Sequence, residues 1–261
     1  MKTTVIIQAR CGATRLPGKV LLKIMDKTIL EYVIERVKKA RNVENIIVAT
    51  TVEKKDLEIV RLASSLGISV YCGSEEDVLD RYYQAARAFG IRHIVRITAD
   101  CPLVDSHIID DVIGCYFDSG ADYCSNTLDI TFPDGEDVEV FSFDTLKSAW
   151  QNANLLSERE HVTPYIRNHP ERFKLKNVIC KYQNVSQKIW TLDREEDFQL
   201  IKIILESLYP KNAEFSMEDI LKFLEDNPHI EEINKNAIRN EGYIQSLKED
   251  RVVIRGNDEI S

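Results

Sequence analysis

Long hydrophobic runs are missing from this chain of 261 residues. No stretch approaches the roughly 20 apolar residues of a membrane helix, and the N-terminus has one lysine and a short apolar run where a signal peptide has a long one. A globular cytoplasmic protein without a membrane partner is expected. Positive charge is also scarce: 34 Lys and Arg stand against 43 Asp and Glu, a net charge of −9. That balance argues against nucleic acid or an anionic lipid surface as a partner, because both require an extended basic field. The six cysteines (Cys11, Cys72, Cys101, Cys115, Cys124 and Cys180) include no Cys-x-x-Cys pair and no matching histidine spacing. This speaks against a zinc site and for free, mostly buried thiols. Internal repeats, low-complexity tracts and flexible linkers are absent too. With 44% hydrophobic residues, the chain can bury the core of one large domain, or of one domain with an extension.

In the first half, strand-length apolar runs alternate with segments of helical period, the pattern of βα units feeding a mainly parallel sheet. TTVIIQ, ENIIVATT, SVYC and RHIVRIT read as strands. TILEYVIERVKKA reads as a helix with Ile29, Leu30, Val33, Ile34 and Val37 on one face. DLEIVRLASSLG and EDVLDRYYQAARAFG are helices closed by Gly67 and Gly90, residues suited to the left-handed position after a helix. SHIIDDVIGCYFDSG is a fourth helix, with Ser106 as its expected N-cap. The rhythm then changes. ADYCSNTLDITFPDGEDVEVFSF reads as strands around a Pro-Asp-Gly turn, SEREHVTPYIRNHPERF as helix and loop, and KLKNVIC and KIWTL as two more strands. Two helices, DREEDFQLIKIILESLY and SMEDILKFLEDNP, precede a charged tail. The expected division is a domain over residues 1–230 and a tail over 231–261.

The loop QARCGATRLPGK follows the first strand, at the carboxyl edge of a parallel sheet, where open α/β folds bind ligands. Gly12 and Gly18 let the backbone turn and approach an anion, while Arg10, Arg15 and Lys19 supply positive charge. The spacing matches neither the P-loop nor the dinucleotide-binding glycine pattern, so a phosphate site of another kind is expected. A solvated basic turn is the competing reading.

These residues, together with GSEEDVLDRYYQAA, VRITADCPLVD, PDGEDVEVFSF, SEREHVTPYIRNHPERF, TLDREEDF and NEGYIQSL, resemble the CMP-sugar synthetases. The likeness is strongest to the cytidylyltransferases associated with spore coat polysaccharide synthesis. It spans nearly the whole chain. It implies a GT-A-like αβα sandwich with a mainly parallel sheet and a small strand-rich extension, which binds CTP and passes CMP to a hydroxyl of a small sugar acid. Thr98-Ala99-Asp100-Cys101-Pro102 stands where CMP-Kdo synthetases carry Gln-Gly-Asp-Glu-Pro, so the acceptor need not be Kdo. The resemblance further implies Mg2+ held by Asp100 and Asp193, and β and γ phosphates held by Arg15 and Lys19. Gln8, Ala9, Arg10 and Thr98 are then expected beside the nucleotide, Ser74 and Arg81 in the cytidine wall. Relatives of this kind are commonly homodimers, and residues 121–192 are the expected shared surface.

Other readings stay open at this point. Asp100 sits where it can close a turn before Pro102, and Asp193 can cap the helix that follows, with Glu196 completing a capping box. On the acceptor side, Asp137 and Glu139 alternate with Val138 and Val140, which sends both carboxylates to one face of a strand. Arg159 and His161 are nearby in sequence, and an arginine suits a sugar carboxylate. A polar strand face and a charged helix start explain the same residues without a ligand. At the level of function, the alternatives are a transferase of the same fold with another nucleotide or acceptor, and a noncatalytic nucleotide-binding subunit.

Overall fold

The first strand, β1 (Thr3–Gln8), lies in the interior of the sheet, third from one edge, and the computed structural model describes residues 2–253. After the basic loop comes a small hairpin that the sequence patterning does not announce, β2 (Lys23–Ile24) and β3 (Lys27–Thr28), turned at Met25 with φ 54°. Helix α1 (Ile29–Val37) starts at Thr28, whose hydroxyl accepts from the Glu31 N–H while the Glu31 carboxylate accepts from the Thr28 N–H, a reciprocal capping box. Its five expected core residues are all essentially inaccessible, and burying each is worth roughly 1.5–3 kcal/mol. Then follow β4 (Val43–Thr51), α2 (Leu57–Ser65), β5 (Ser69–Gly73), α3 (Val78–Ala88), β6 (His93–Thr98) and α4 (Ser106–Ser119). Gly67 and Gly90 do sit just beyond their helices at φ 70° and 63°. The N-cap of α4 is Asp105, not Ser106: its carboxylate accepts from the His107 N–H at 2.8 Å, and Ser106 is already helical.

The second half contributes β7 (Tyr123–Ser125), β8 (Glu139–Ser142), α5 (Phe143–Asn152), α6 (Leu156–His161), α7 (Pro164–Arg167), β9 (Leu175–Asn177), α8 (Glu195–Leu208), α9 (Met217–Asp226) and α10 (Glu241–Lys248). The seven-stranded sheet has the order β5-β4-β1-β6-β8-β7-β9, and only β8 runs against its neighbours. Alternation along β1 divides the core: Val5 and Ile7 face α1, α2, α4, α8 and α9, whereas Ile6 faces α3, α5 and α7. The result is an αβα sandwich with a mainly parallel sheet. KIWTL is not a strand. It makes one bridge, Ile189 to Asp134, and runs over the Pro-Asp-Gly turn. Among the described residues no helix is long and apolar enough to cross a membrane. Within the expected tail, residues 231–253 fold back onto α6 and α8, and residues 254–261 lie outside the described residues.

Candidate active site

Strands β1 and β6 end side by side, Gln8 in register with Thr98, and Ala99 N–H donates to the Gln8 carbonyl at 3.0 Å. Beyond that edge, the loop after β1 is tied down at its base. Cys11 N–H donates to the buried carboxylate of Asp56 at 2.7 Å, Thr51 Oγ1 donates to the same carboxylate, and Gly18 N–H donates to the Cys11 carbonyl at 3.0 Å. Gly18 takes φ 69°, so the turn toward Lys19 does require a glycine. Asp56 is a positioning residue that the sequence reading misses, because an aspartate at a helix start looks like an ordinary cap.

From this loop Lys19 reaches into the molecule. Its Nζ donates to Asp100 Oδ2 at 2.7 Å, to the Leu192 carbonyl at 2.6 Å and to Asp193 Oδ1 at 2.9 Å. Asp193 arrives from the far end of the chain because Trp190 N–H donates to the Asp134 carbonyl at 2.7 Å and Leu192 N–H to the Asp100 carbonyl at 2.8 Å. It does not cap α8. That role falls to Asp197, whose carboxylate accepts from the N–H groups of Asp193 and Arg194, so the Asp193 side chain is left to face Lys19 and Arg15. Arg15 binds Asp193 Oδ2 at 2.8 Å and Glu241 at 3.3 Å. Burial pushes the Asp100 carboxyl up, but the adjoining Lys19 ammonium outweighs it and holds the group below its usual range. Burial likewise opposes the charge on Lys19, and its two carboxylates more than restore it.

This cluster sits on the seam between two cavities of about 250 Å³ each. Gln8, Arg15, Thr98, Asp100, His161 and Asp193 line both. The first is completed by Ala9, Arg10, Lys19 and Arg81. Arg10 and the buried Arg81 are close enough that Arg10, after burial itself, helps push Arg81 below its ordinary range. Two neighbouring guanidinium groups on one cavity wall suit an anion. Ser74 is not on the wall: its carbonyl accepts from Arg81 Nη1 at 2.7 Å and so aims that arginine. Gly12 lies beneath the Lys55–Glu75 ion pair, where a Cβ would come within 2.5 Å of Glu75 Oε1, and not on the cavity.

The second cavity holds Asp137 and Glu139, on the same side as expected, with Val138 and Val140 buried behind them. Glu139 is fully engaged. Oε1 accepts from Tyr123 at 2.5 Å and from Thr163 at 2.7 Å, and Oε2 pairs with Arg96. Asp137 accepts from Arg239 at 3.1 Å, and burial together with the charge of Asp134 pushes its carboxyl up to about 7. His161 is hydrogen-bonded through Nε2 to Ser246 at 3.0 Å, and burial holds its pKa down at about 4, so the ring is neutral. Arg159 does not reach either cavity. It is buried, with Nε on Asp77 at 3.0 Å and Nη1 on the Trp150 carbonyl at 2.9 Å. In its place the structure brings Arg96, Arg167 and Arg239, together with residues 240–243 from the segment NEGYIQSL.

A family model described as Cytidylyltransferase matches residues 4–242. The chain is 42% identical over 244 residues to an uncharacterized protein of Methanocaldococcus jannaschii, covering 93% of this chain and 98% of that one. It is 34% identical over 232 residues to the spore coat polysaccharide biosynthesis protein SpsF of Bacillus subtilis, covering 85% and 94%. The solved structure of a cytidylyltransferase from Leptospira borgpetersenii superposes with a TM-score of 0.83 at 34% identity, covering 92% of this chain and 98% of that chain. The matched span runs from the first strand through the basic loop and both aspartates to the start of α10, and the chain therefore belongs to the cytidylyltransferase family of nucleotidyltransferases.

Proposed function

We propose that this enzyme transfers CMP from CTP to a hydroxyl of a small sugar acid of the nonulosonate type, releasing pyrophosphate, in cytoplasmic synthesis of a surface polysaccharide or glycan. The observation that carries the reading is the convergence of Asp100 and Asp193 on one buried ammonium, at the seam of two cavities. The likeness to SpsF, a spore coat polysaccharide biosynthesis protein, supports the biological setting. Among the described residues no group of three or more His, Cys, Asp or Glu closes a metal cage. Two carboxylates completed by phosphate oxygens and waters are nonetheless a donor set that suits Mg2+, and Asp100 and Asp193 would hold it. When bound, the ion supplies charge that polarises the α-phosphate and eases proton loss from the acceptor hydroxyl, without a side-chain base.

The chain's own groups do the rest. Gln8, Ala9, Arg10, Thr98 and Arg81 flank the nucleotide, and Arg15 and Lys19 neutralise the β and γ phosphates. The acceptor oxygen bonds to the α-phosphorus in line, the bond from that phosphorus to the oxygen bridging to the β-phosphate breaks, pyrophosphate leaves with that oxygen, and the hydroxyl proton passes to solvent water. The acceptor lies in the second cavity, near Asp137 and His161. A homodimer through residues 121–192 accords with the exposed Ile130 and Ile179 and the short edge strand β9.

A folded-state site for CTP stabilises by mass action, so CTP with Mg2+ should raise Tm more than ATP, GTP or UTP at equal concentration. Pyrophosphate release with CTP across a panel of sugar acids then identifies the acceptor. Equal shifts for all four nucleotides would remove the cytidine assignment, and no release with any sugar acid would remove the acceptor class. A monomer mass by light scattering at micromolar concentration would remove the dimer.

A further inference from the structure

Four arginines line the second cavity, and three are neutralised. Arg15 pairs with Asp193 and Glu241, Arg96 with Glu139, and Arg239 with Asp137. Arg167 has no ion pair among the described residues, and no lysine lines this cavity. The Arg167 guanidinium lies 5.5 Å over the ring of Tyr243, and its buried Nε has no hydrogen-bond partner. Tyr243 is itself held, edge to face, 5.0 Å from His161. It belongs to the segment 240–243, which the transfer chemistry leaves unused although its residues wall the cavity.

Six carboxylates line the same space (Asp100, Asp134, Asp137, Glu139, Asp193 and Glu241). Such a lining disfavours an anion, least of all beside Arg167, whose guanidinium no carboxylate among the described residues contacts although its charge helps to keep Glu139 ionised. A carboxylate brought in from water, without a metal ion to share the lining carboxylates, is best met by the cation that none of them contacts, and an arginine fork matches its two oxygens. We infer that Arg167, braced on the face of Tyr243, is the specificity-determining residue that pairs with the acceptor's carboxylate. The inference rests on the transfer reaction proposed above and assigns to Arg167 the role for which Arg159 was the candidate in sequence.

The test compares the wild-type enzyme, R167Q and R167K in pyrophosphate release, using a sugar acid that is turned over and its analogue with the carboxylate reduced to an alcohol. A charged hydrogen-bonding pair of this kind corresponds to roughly a 10- to 100-fold rise in acceptor KM for R167Q. KM for CTP and the thermal shift given by CTP with Mg2+ should stay within about twofold of wild type, which also reports that the variant is folded. R167K should recover part of the loss, and the preference for acid over alcohol should collapse in R167Q. A purely structural cation–π contact would move Tm and leave that preference intact. If R167Q keeps the wild-type KM and preference, the assignment to Arg167 is overturned while the reaction stands. If wild type turns over the alcohol as well as the acid, the carboxylate is not recognised and the role of Arg167 falls, while absence of release with every sugar acid removes the underlying reading.

Discussion

Lys19 Nζ is saturated by three acceptors from two distant stretches of chain, so one ammonium determines where Asp100 and Asp193 stand. Asp100→Asn tests the proposed metal role, since asparagine keeps the side chain's shape and removes the charge a hard cation needs. Lys19 retains Asp193 and the Leu192 carbonyl, so Tm should change little, while turnover should fall by roughly 10²- to 10⁴-fold. Arg15→Ala should instead raise KM for CTP as well, because its phosphate partner is already charged in the ground state. Folded Asp100→Asn enzyme working near the wild-type rate across a magnesium titration would refute the metal assignment. The basic loop was legible in sequence because Arg10, Arg15 and Lys19 lie in one short stretch behind a recognisable strand. The choice between Arg159 and Arg167 was not. Val162 takes φ 71° between α6 and α7, which breaks the helical period across SEREHVTPYIR, so no single wheel shows which arginine faces inward.

At the scale of elements, the Pro133-Asp134-Gly135 turn is the fitting on which the chain's far end docks. Asp134 N–H donates to the Lys188 carbonyl at 2.9 Å, its carbonyl accepts from Trp190, and this brings Leu192 and Asp193 to the edge of β6. Gly135 sits at φ 106°, and a Cβ there would come within 2.8 Å of the Trp190 carbonyl carbon. Backbone cannot swing aside as a lysine end can. Gly135→Ala should therefore cost about 2–3 kcal/mol from backbone strain and overpacking combined, or some 5–10 °C in Tm at this chain length. Because the displaced segment carries Asp193, activity should drop beyond what partial unfolding explains; a variant with wild-type Tm and rate would show that the turn and the segment over it separate freely. The turn itself was readable as Pro-Asp-Gly. KIWTL was misread because its buried Trp190 and Leu192 imitate strand alternation, although the segment's hydrogen bonds go to a turn and to a loop carbonyl instead of a ladder.

Over the whole molecule, the alternation of strands and helices made the sandwich legible, whereas the docking of its last residues was not. Charged and bearing exposed Ile244, Leu247 and Val252, this segment gives no amphipathic signal strong enough to place it. It is held by polar contacts: Asp250 with Ser157, Val252 bridging Leu155, and Ser246 between Glu160 and His161. These contacts close the wall beside both cavities and make the fold sensitive to acid at one ring. Burial, with Arg96 and Arg167 nearby, lowers the pKa of His161 from 6.5 to about 4, and Glu160 offsets only part of that. Between those values the unfolded chain binds a proton that the folded chain refuses. Stability from this group is complete above about pH 6.5 and is lost as pH falls toward 4. The loss should reach about 2–3 kcal/mol near pH 4.5, at roughly 1.4 kcal/mol per pKa unit. His161→Gln keeps a hydrogen-bonding end without the titration. Its Tm should therefore fall less than that of wild type between pH 7 and 4.5, by roughly 5–10 °C. Identical slopes for the two proteins would mean that His161 accepts its proton in the folded state, and that the wall formed by residues 240–253 opens to water more readily than its contacts imply.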